Sequence, residues 1–522
     1  MTFMKNKVGR EIPDEFLKEG KQVFQGAFAF DKNVYHKVAS KTVGVSDPNH
    51  TKVLPDLKAA IMACGLKDGM TVSFHHHFRD GDYVVCMVMQ AIAELGIKDI
   101  MVCATSLGTA HDALVPLMES GVITGISSSG LRGKIGKAIS DGKLKNVAYI
   151  RSHGGRAAAI ASGAVHIDVA FLGAPTSDDY GNARGQGGIS DCGVLSYGEV
   201  DARYADRVVI VTDTLVPFPN VPASISCSDV DYVVVVDKIG DSEKIANHTM
   251  RMTENPRELI LAENAALIMK HTPYFKDGFS FQTGGGGPSL AVTRFLRPML
   301  EEAGIKIGFT VGGCTKPMID LLKEGFIGAI MDSQDFDFAS VESVHKTPGH
   351  FEITTSEYAD PFNKGAYVNR LDYVMLGALD IDIDFNVNVI TGVDGVVRGA
   401  PGGHVDAAAG SKCTVVMAPL VRKGRLSSVR DRVLTVTTPG ETVDIFVTEV
   451  GYAVNPRRQD LIEALKKCPL KRYTIEGLRD EAYALAGKPE DTKFEDKVVA
   501  LVEYRDGTII DVVRKPAKYV LA

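Results

Sequence analysis

The chain repeats itself at long range. Asp68-Gly69-Met70-Thr71-Val72-Ser73-Phe74 near its start is echoed by Asp277-Gly278-Phe279-Ser280-Phe281. Phe171-Leu172-Gly173-Ala174, leading into Asp178-Asp179-Tyr180-Gly181-Asn182, is echoed by Met375-Leu376-Gly377-Ala378, leading into Asp384-Phe385-Asn386-Val387-Asn388. Val208–Val216 is echoed by Cys413–Val421. The offsets are 209 (68 to 277), 204 (172 to 376) and 205 (215 to 420), in one order along the chain. A period of roughly 200 residues is far too long for a solenoid and matches a domain. Two copies of one domain leave a cleft between them, and such clefts are favoured ligand sites.

At 522 residues the chain exceeds what one hydrophobic core organises, so two or three domains are expected. A net charge of -7 gives no reason to expect nucleic acid as a partner. There is no apolar run of about 18 residues, so no membrane span is expected. Met1–Lys7 lacks the apolar core of a signal peptide. The eight cysteines include no C-x-x-C pair, and Cys64, Cys86, Cys103 and Cys413 sit in apolar surroundings. That pattern fits a reducing cytoplasm and argues against a disulfide framework or a structural zinc site.

The apolar patterning alternates helix and strand. Val53–Leu66 and Tyr83–Leu95 have helical spacing, while Met70–Phe74, Asp99–Ala104, Val147–Ile150, Ile167–Leu172, Val208–Val211 and Tyr232–Val236 are short apolar runs. Runs apolar on both faces mark buried parallel strands. The second copy reads as helix Pro256–His271, strand Phe279–Gln282, helix Leu290–Ala303, strand Ile305–Thr310 and helix Met318–Glu324. Strands at Tyr373–Leu376, Val387–Ile390, Thr414–Ala418, Val433–Thr437 and Asp444–Val450 follow, with later helices at Gln459–Lys467 and Ile475–Ala486. Leu501–Tyr504 and Thr508–Val513 flank Arg505-Asp506-Gly507, a hairpin signal. The expected fold class is α/β, with two tandem, internally duplicated domains and mostly parallel sheets. The expected division is an N-terminal extension over 1–50 that wraps or docks, a first domain over 51–250 and a second over 251–522. The boundary falls in the polar stretch Ser242–Pro256.

Four segments could carry chemistry. Thr283-Gly284-Gly285-Gly286-Gly287-Pro288-Ser289 joins a strand to a helix. Free backbone N–H groups at a helix start attract anions, and the glycines admit a ligand to the main chain. The alternative is a flexible turn. The equivalent place in the first copy is Ser73-Phe74-His75-His76-His77-Phe78-Arg79. Three histidines and an arginine there suit an anionic substrate; a metal site lacks a supporting H-E-x-x-H or Cys partner, and a structural role is the third reading. Gly399–Gly410 is rich in small residues, flanked by Arg398, His404, Arg422 and Lys423, a set that suits a carboxylate-rich substrate unless these are only solvated charges around a turn. Gly312-Gly313-Cys314-Thr315 precedes a helix, where a thiol pKa falls, but no His stands near Cys314 in sequence to support a nucleophile.

The duplicated architecture, the strand-end glycine runs and Gly402-Gly403-His404-Val405-Asp406-Ala407-Ala408-Ala409-Gly410 resemble the coenzyme A-transferase superfamily. Val72–Asp82, Ile167–Asn182, Phe281–Thr315 and Leu379–Arg425 are similar, over essentially the whole chain, to its citrate lyase α-subunit family. That resemblance implies a citrate:acyl-carrier-protein transferase, which exchanges acetate for citrate on the carrier's thioester. It implies as partners a β subunit, which cleaves the citryl thioester, and a γ subunit, the acyl carrier protein. It further implies citrate and acetate as small molecules, an oligomer and a cytoplasmic location. No cofactor is expected to be bound covalently to this chain. The γ subunit's phosphoribosyl-dephospho-coenzyme A arm is expected to carry the thioester, with coenzyme A or acetyl-coenzyme A as alternative substrates in its place.

One departure stands out. Transferases that work through a glutamyl thioester carry a Glu-containing segment where this chain has Thr310-Val311-Gly312-Gly313-Cys314-Thr315, with no Glu. The expected chemistry is therefore direct attack of a citrate carboxylate on the acetyl thioester, through a mixed anhydride. Gly312, Gly313, Gly402 and Gly403 are the expected catalytic backbone groups. His75, His76, Arg79, Gly285, Gly286, Ser289, Thr315 and His404 are expected to hold substrate, and no metal is expected. The rival readings are an ordinary acetate-type coenzyme A transferase or acyl-coenzyme A hydrolase, and a ligand-sensing module. No helix-turn-helix or basic extension supports the last.

Overall fold

The computed structural model describes residues 2–18, 20–29, 51–75, 77–245 and 252–517. Its two large sheets are built from nineteen strands, β1 to β19 in chain order. The first eight are β1 (Val53–Leu54), β2 (Thr71–Phe74), β3 (Ile100–Ala104), β4 (Ile123–Ser128), β5 (Ala148–Ile150), β6 (Val169–Ala174), β7 (Arg207–Thr212) and β8 (Tyr232–Val235). The next nine are β9 (Phe279–Thr283), β10 (Ile307–Cys314), β11 (Ile327–Asp335), β12 (His350–Glu352), β13 (Tyr373–Gly377), β14 (Cys413–Met417), β15 (Ile445–Thr448), β16 (Gly451–Val454) and β17 (Arg472–Tyr473). A C-terminal hairpin supplies β18 (Phe494–Glu503) and β19 (Ile509–Pro516).

The first sheet runs β19-β18-β5-β4-β3-β2-β6-β7-β8-β1 and the second β12-β11-β10-β9-β13-β14-β15-β16-β17. The seven strands β5-β4-β3-β2-β6-β7-β8 match β12-β11-β10-β9-β13-β14-β15 place for place, all parallel. The three sequence echoes fall on equivalent strands: β2 with β9, β6 with β13, β7 with β14. The winding reverses between β2 and β6 in the first copy and between β9 and β13 in the second. Loops leaving the carboxyl ends of strands at such a reversal diverge and open a crevice.

Alternation along the strands distributes the second core over both sheet faces. Tyr373 and Met375 join one buried cluster, Val374 and Leu376 the other. Helix Pro256–Lys270 packs on the first of these faces through Leu261, Ala265 and Met269.

Sheet membership crosses the division expected at residue 250. The hairpin β18–β19 lies in the first sheet, where Ala500, Leu501 and Val502 pair in parallel with Ala148, Tyr149 and Ile150. Val499, Tyr504 and Val513 are buried in the first half's core. Glu503 fixes the join, taking Arg151 Nε at 2.6 Å and Lys21 Nζ at 2.5 Å inside the protein. The N-terminal segment docks on the same hairpin: Phe24 N donates to Ile509 O at 2.9 Å and Asn6 Nδ2 to Ile510 O at 2.6 Å. Residues 30–50 of the expected extension lie outside the described residues.

Two segments differ from their expected form. Val53–Leu66 opens as the short strand β1 before its helix, Leu57–Ala63. Val433–Thr437 forms no strand: Val433 N and Val436 N donate to side chains, Asp382 at 3.3 Å and Asp511 at 2.7 Å, and only Thr437 N reaches a neighbouring backbone, Val387 O at 2.8 Å.

Candidate active site

The carboxyl ends of the two sheets face a shared cavity of about 390 Å³. The first half contributes Arg79 after β2, Ser106 after β3, Ser129 and Arg132 after β4, His153 after β5, and Tyr197. The second half contributes Gln282–Gly286 at the end of β9, Gly313 of β10, Ser333 and Gln334 of β11, Leu376–Leu379 at the end of β13, and Gly399–His404. No Asp or Glu is among these described lining residues.

The wall is cationic on the first-half side. Arg79 has a φ of 55°, a conformation non-glycine residues seldom adopt, and its guanidinium stacks 5.2 Å from the Phe336 ring centre. Burial, and after it neighbouring Arg132, lower its pKa to about 10 against the pull of Asp80. Burial also lowers the pKa of Arg132. Two guanidinium groups in one cavity wall attract a ligand with several carboxylates. His153 is held neutral, its pKa lowered to about 3 by burial and by Arg156, Arg132 and Arg79.

Several buried polar atoms in this wall have no hydrogen-bond partner among the described residues: Arg79 Nε, Ser129 Oγ, Gln282 Oε1, Thr283 Oγ1 and Gln334 Nε2. Buried polar groups are nearly always paired, so this set marks a place where a polar ligand supplies the partners. On the second-half side, helix Gly287–Ala303 opens from Gly286, which offers no side-chain cap. Its first N–H groups lack intrahelical partners, as at every helix start.

The residues expected from sequence divide in two. Arg79, Gly285, Gly286, Gly313, Gly402, Gly403 and His404 line the cavity. His75, Ser289, Gly312 and Thr315 are not among the lining residues, and His76 lies outside the described residues. Buried His75 stands beside His77, ring centres 4.7 Å apart, and burial lowers the pKa of both. His404 is committed on both nitrogens, Nε2 to Gly377 O at 3.0 Å and Nδ1 to Thr438 Oγ1 at 2.7 Å. A carbonyl only accepts, so Nε2 carries the proton and Nδ1 accepts from the threonine. Arg398 turns to Asp394 and Arg422 to Ser428, away from the cavity lining.

Cys314 is buried, and burial raises its thiol pKa well above normal, which removes it as a nucleophile. It lies with Asp332 and His350, a trio close enough to hold a metal. Their own bonds already close that group: His350 spans Asp332 Oδ2 and Ser343 Oγ, each at 3.0 Å, and Asp332 Oδ1 takes Gln334 N at 2.7 Å.

Arg132, His153, Tyr197 and Gln282 were not singled out in sequence. Arg132 follows Ile123–Ser128, whose Thr, Gly and Ser residues disguise a strand. His153 stands just past the readable strand Val147–Ile150 and before Gly154-Gly155, the one signal that could have marked it.

Residues 50–516 match the family model for citrate lyase, alpha subunit. The chain belongs to the citrate lyase α-subunit family. It is 50% identical to the citrate lyase alpha chain of Klebsiella pneumoniae, covering 90% of this chain and 92% of that one. It is 47% identical to that of Escherichia coli, covering 93% and 95%. A crystal structure described as the α subunit of citrate lyase from Streptococcus mutans, in complex with citrate, superposes with a TM-score of 0.95 at 51% identity, covering 98% of this chain and 100% of that one. A Pseudomonas malonate decarboxylase structure shares the fold alone, with a TM-score of 0.62 at 16% identity over 85% of this chain and 89% of that one. As a member of this α-subunit family, the chain is a component of citrate lyase with citrate transferase activity. Among the described residues no helix is long and apolar enough to cross a membrane.

Proposed function

We propose that the cavity is where citrate replaces acetate on the carrier thioester, through an acetyl–citryl mixed anhydride and without an acylated protein side chain. The observation that carries this reading is a wall with two arginines and no carboxylate among its described lining residues. Arg79 and Arg132 hold two citrate carboxylates, and the third attacks the acetyl carbonyl carbon. The tetrahedral oxyanion that forms is met by backbone N–H groups at the start of helix Gly287–Ala303, an arrangement suited to developing charge. The C–S bond breaks and the thiolate stays on the arm. It then attacks the citryl carbonyl, and acetate leaves with the bridging oxygen. Gly313, Gly402 and Gly403 let the two acyl groups approach, and the cavity holds them at reacting distance.

The thioester arm is the phosphoribosyl-dephospho-coenzyme A of a γ-subunit carrier protein, with coenzyme A as a poorer substitute, and a β subunit cleaves the product. The complex is cytoplasmic and oligomeric. Mass spectrometry of acetylated carrier incubated with the purified chain and labelled citrate tests this. Citryl-carrier is the expected product; hydrolysis to free carrier alone would refute transfer.

A further inference from the structure

We propose that Asp406 is a positioning residue, which crosses from the second half to seat His153 in the cavity wall. This rests on the reading that the cavity is the site of transfer.

Asp406 lies in the first turn of helix His404–Gly410 and is fully buried. Its partners are on the other half of the molecule. Oδ1 accepts from Ser152 Oγ at 2.9 Å and Oδ2 from Gly154 N at 3.0 Å. Between them, His153 N donates to Gly402 O at 2.8 Å. Three consecutive residues after β5 are thus bonded to one short stretch of the second half. The two backbones meet without slack: a Cβ on Gly154 would lie 2.0 Å from Ala359 O and 2.8 Å from Asp406 Oδ1. Ser152 Oγ also accepts from Gly155 N at 2.9 Å, capping the helix that His153 begins. The His153 ring is tilted 56° to that of Tyr197, their centres 4.7 Å apart, and comes within 3.4 Å of a Cβ position on Gly402. Asp406 does not line the cavity, so it acts through the residues it holds.

The carboxylate is balanced by the turn of the C-terminal hairpin, where Arg505 Nε is 3.5 Å from Oδ1 and Arg505 Nη2 donates to Ala359 O at 3.1 Å. Asp360 opposes it, and Tyr197, Tyr358 and Tyr504 also face it. Burial raises the Asp406 pKa to about 6. Protonated Asp406 keeps one acceptor and gains a donor, the pattern of an asparagine.

The test pairs Asp406→Asn with Ser152→Ala in the full chain, assayed with acetylated carrier. Positioning predicts that Asp406→Asn lowers kcat by about 100-fold, the cost of a misplaced group, while the citrate KM moves less than about threefold. The wild-type rate should fall below a pH near 6, and this limb should be absent in Asp406→Asn. The His153 signal in a 15N-histidine NMR spectrum, assigned with His153→Gln, should shift in Asp406→Asn. A folded Asp406→Asn with wild-type kcat and an unmoved His153 signal would overturn the proposal. So would a loss shared by kcat, KM and thermal midpoint alike. If Asp406→Asn does not fold, Ser152→Ala decides by the same split, and wild-type kinetics there would overturn it. Failure of wild type to make citryl-carrier would instead reject the transfer reading, with the NMR shift still reporting on Asp406.

Discussion

A Cβ on Gly403 would lie 2.1 Å from the Tyr358 hydroxyl, so these two residues are in full contact at the cavity wall. The hydroxyl also accepts Gln282 Nε2 at 2.8 Å. Gly403→Ala should push Tyr358 off Gln282 and cost about 1–3 kcal/mol of stability, as overpacking does. Gly286 is the contrast, because nothing lies within 4 Å of its Cβ position. Gly286→Val should fold normally yet lose about 100- to 1,000-fold in turnover, the cost of a blocked oxyanion donor. Thermal unfolding and citryl-carrier formation, measured on both variants, check the pair.

Arg79→Ala and Arg132→Ala should each weaken citrate dependence by roughly 10- to 150-fold, from about 1.5–3 kcal/mol per charge-assisted hydrogen bond. The requirement for acyl-carrier should move little. Steady-state kinetics with each substrate varied separate the two. Equal losses would place the arginines on the thioester arm.

Oxygen tracing separates the anhydride from a glutamyl intermediate. In a single turnover with citrate labelled by 18O in its carboxylates, the released acetate should carry one labelled oxygen. Borohydride added during turnover should leave every glutamate intact. Unlabelled first-turnover acetate, or one glutamate reduced to an alcohol, would point to an acyl-enzyme. Glu449 is poorly placed for that role, since Arg257 and Leu420 N hold it.

His404 should make stability fall towards acid. Burial lowers its pKa to about 4 against the usual 6.5, with only the Gly377 carbonyl opposing. Between those values the unfolded chain binds the proton and the folded protein does not. The stability that neutral His404 contributes is therefore whole above pH 6.5 and shrinks as pH falls to 4. Buried Asp332, Asp382 and Asp406 have raised pKa values, to about 7, 6 and 6, and act in the opposite sense. The measure is the stability difference between wild type and His404→Gln across pH, which should be constant above 6.5 and narrow below it.

Much of this fold was legible in the sequence, because buried parallel strands such as Val208–Val211 and Thr414–Ala418 are apolar on both faces and nearly unmistakable. Ile123–Ser128 was not, since threonine, glycine and serine carry no period although every residue of the strand is buried. With it went Arg132. Val433–Thr437 misled for the opposite reason: its β-branched residues are those of a strand, but the carboxylates of Asp382 and Asp511, distant in sequence, take the N–H groups of Val433 and Val436. The glycine loops were visible as loops. Which of them lined the cavity depended on how strand ends are aimed, so Gly313 faces it and neighbouring Gly312 does not line it.

The hairpin that completes the first sheet has a kinetic side. Ala500 pairs with Ala148, a separation of 352 positions (500 minus 148). Closing a loop of that length carries an entropy cost that grows as about (3/2)RT ln n before any contact repays it. Until then the edge of Ala148–Ile150 is an open template for foreign strands. During synthesis the first half must wait, unfinished, while the whole second half is made. A chain cut between its two copies would thus give an amino-terminal fragment with a bare sheet edge, and a chaperone that shields such edges would matter most in that interval.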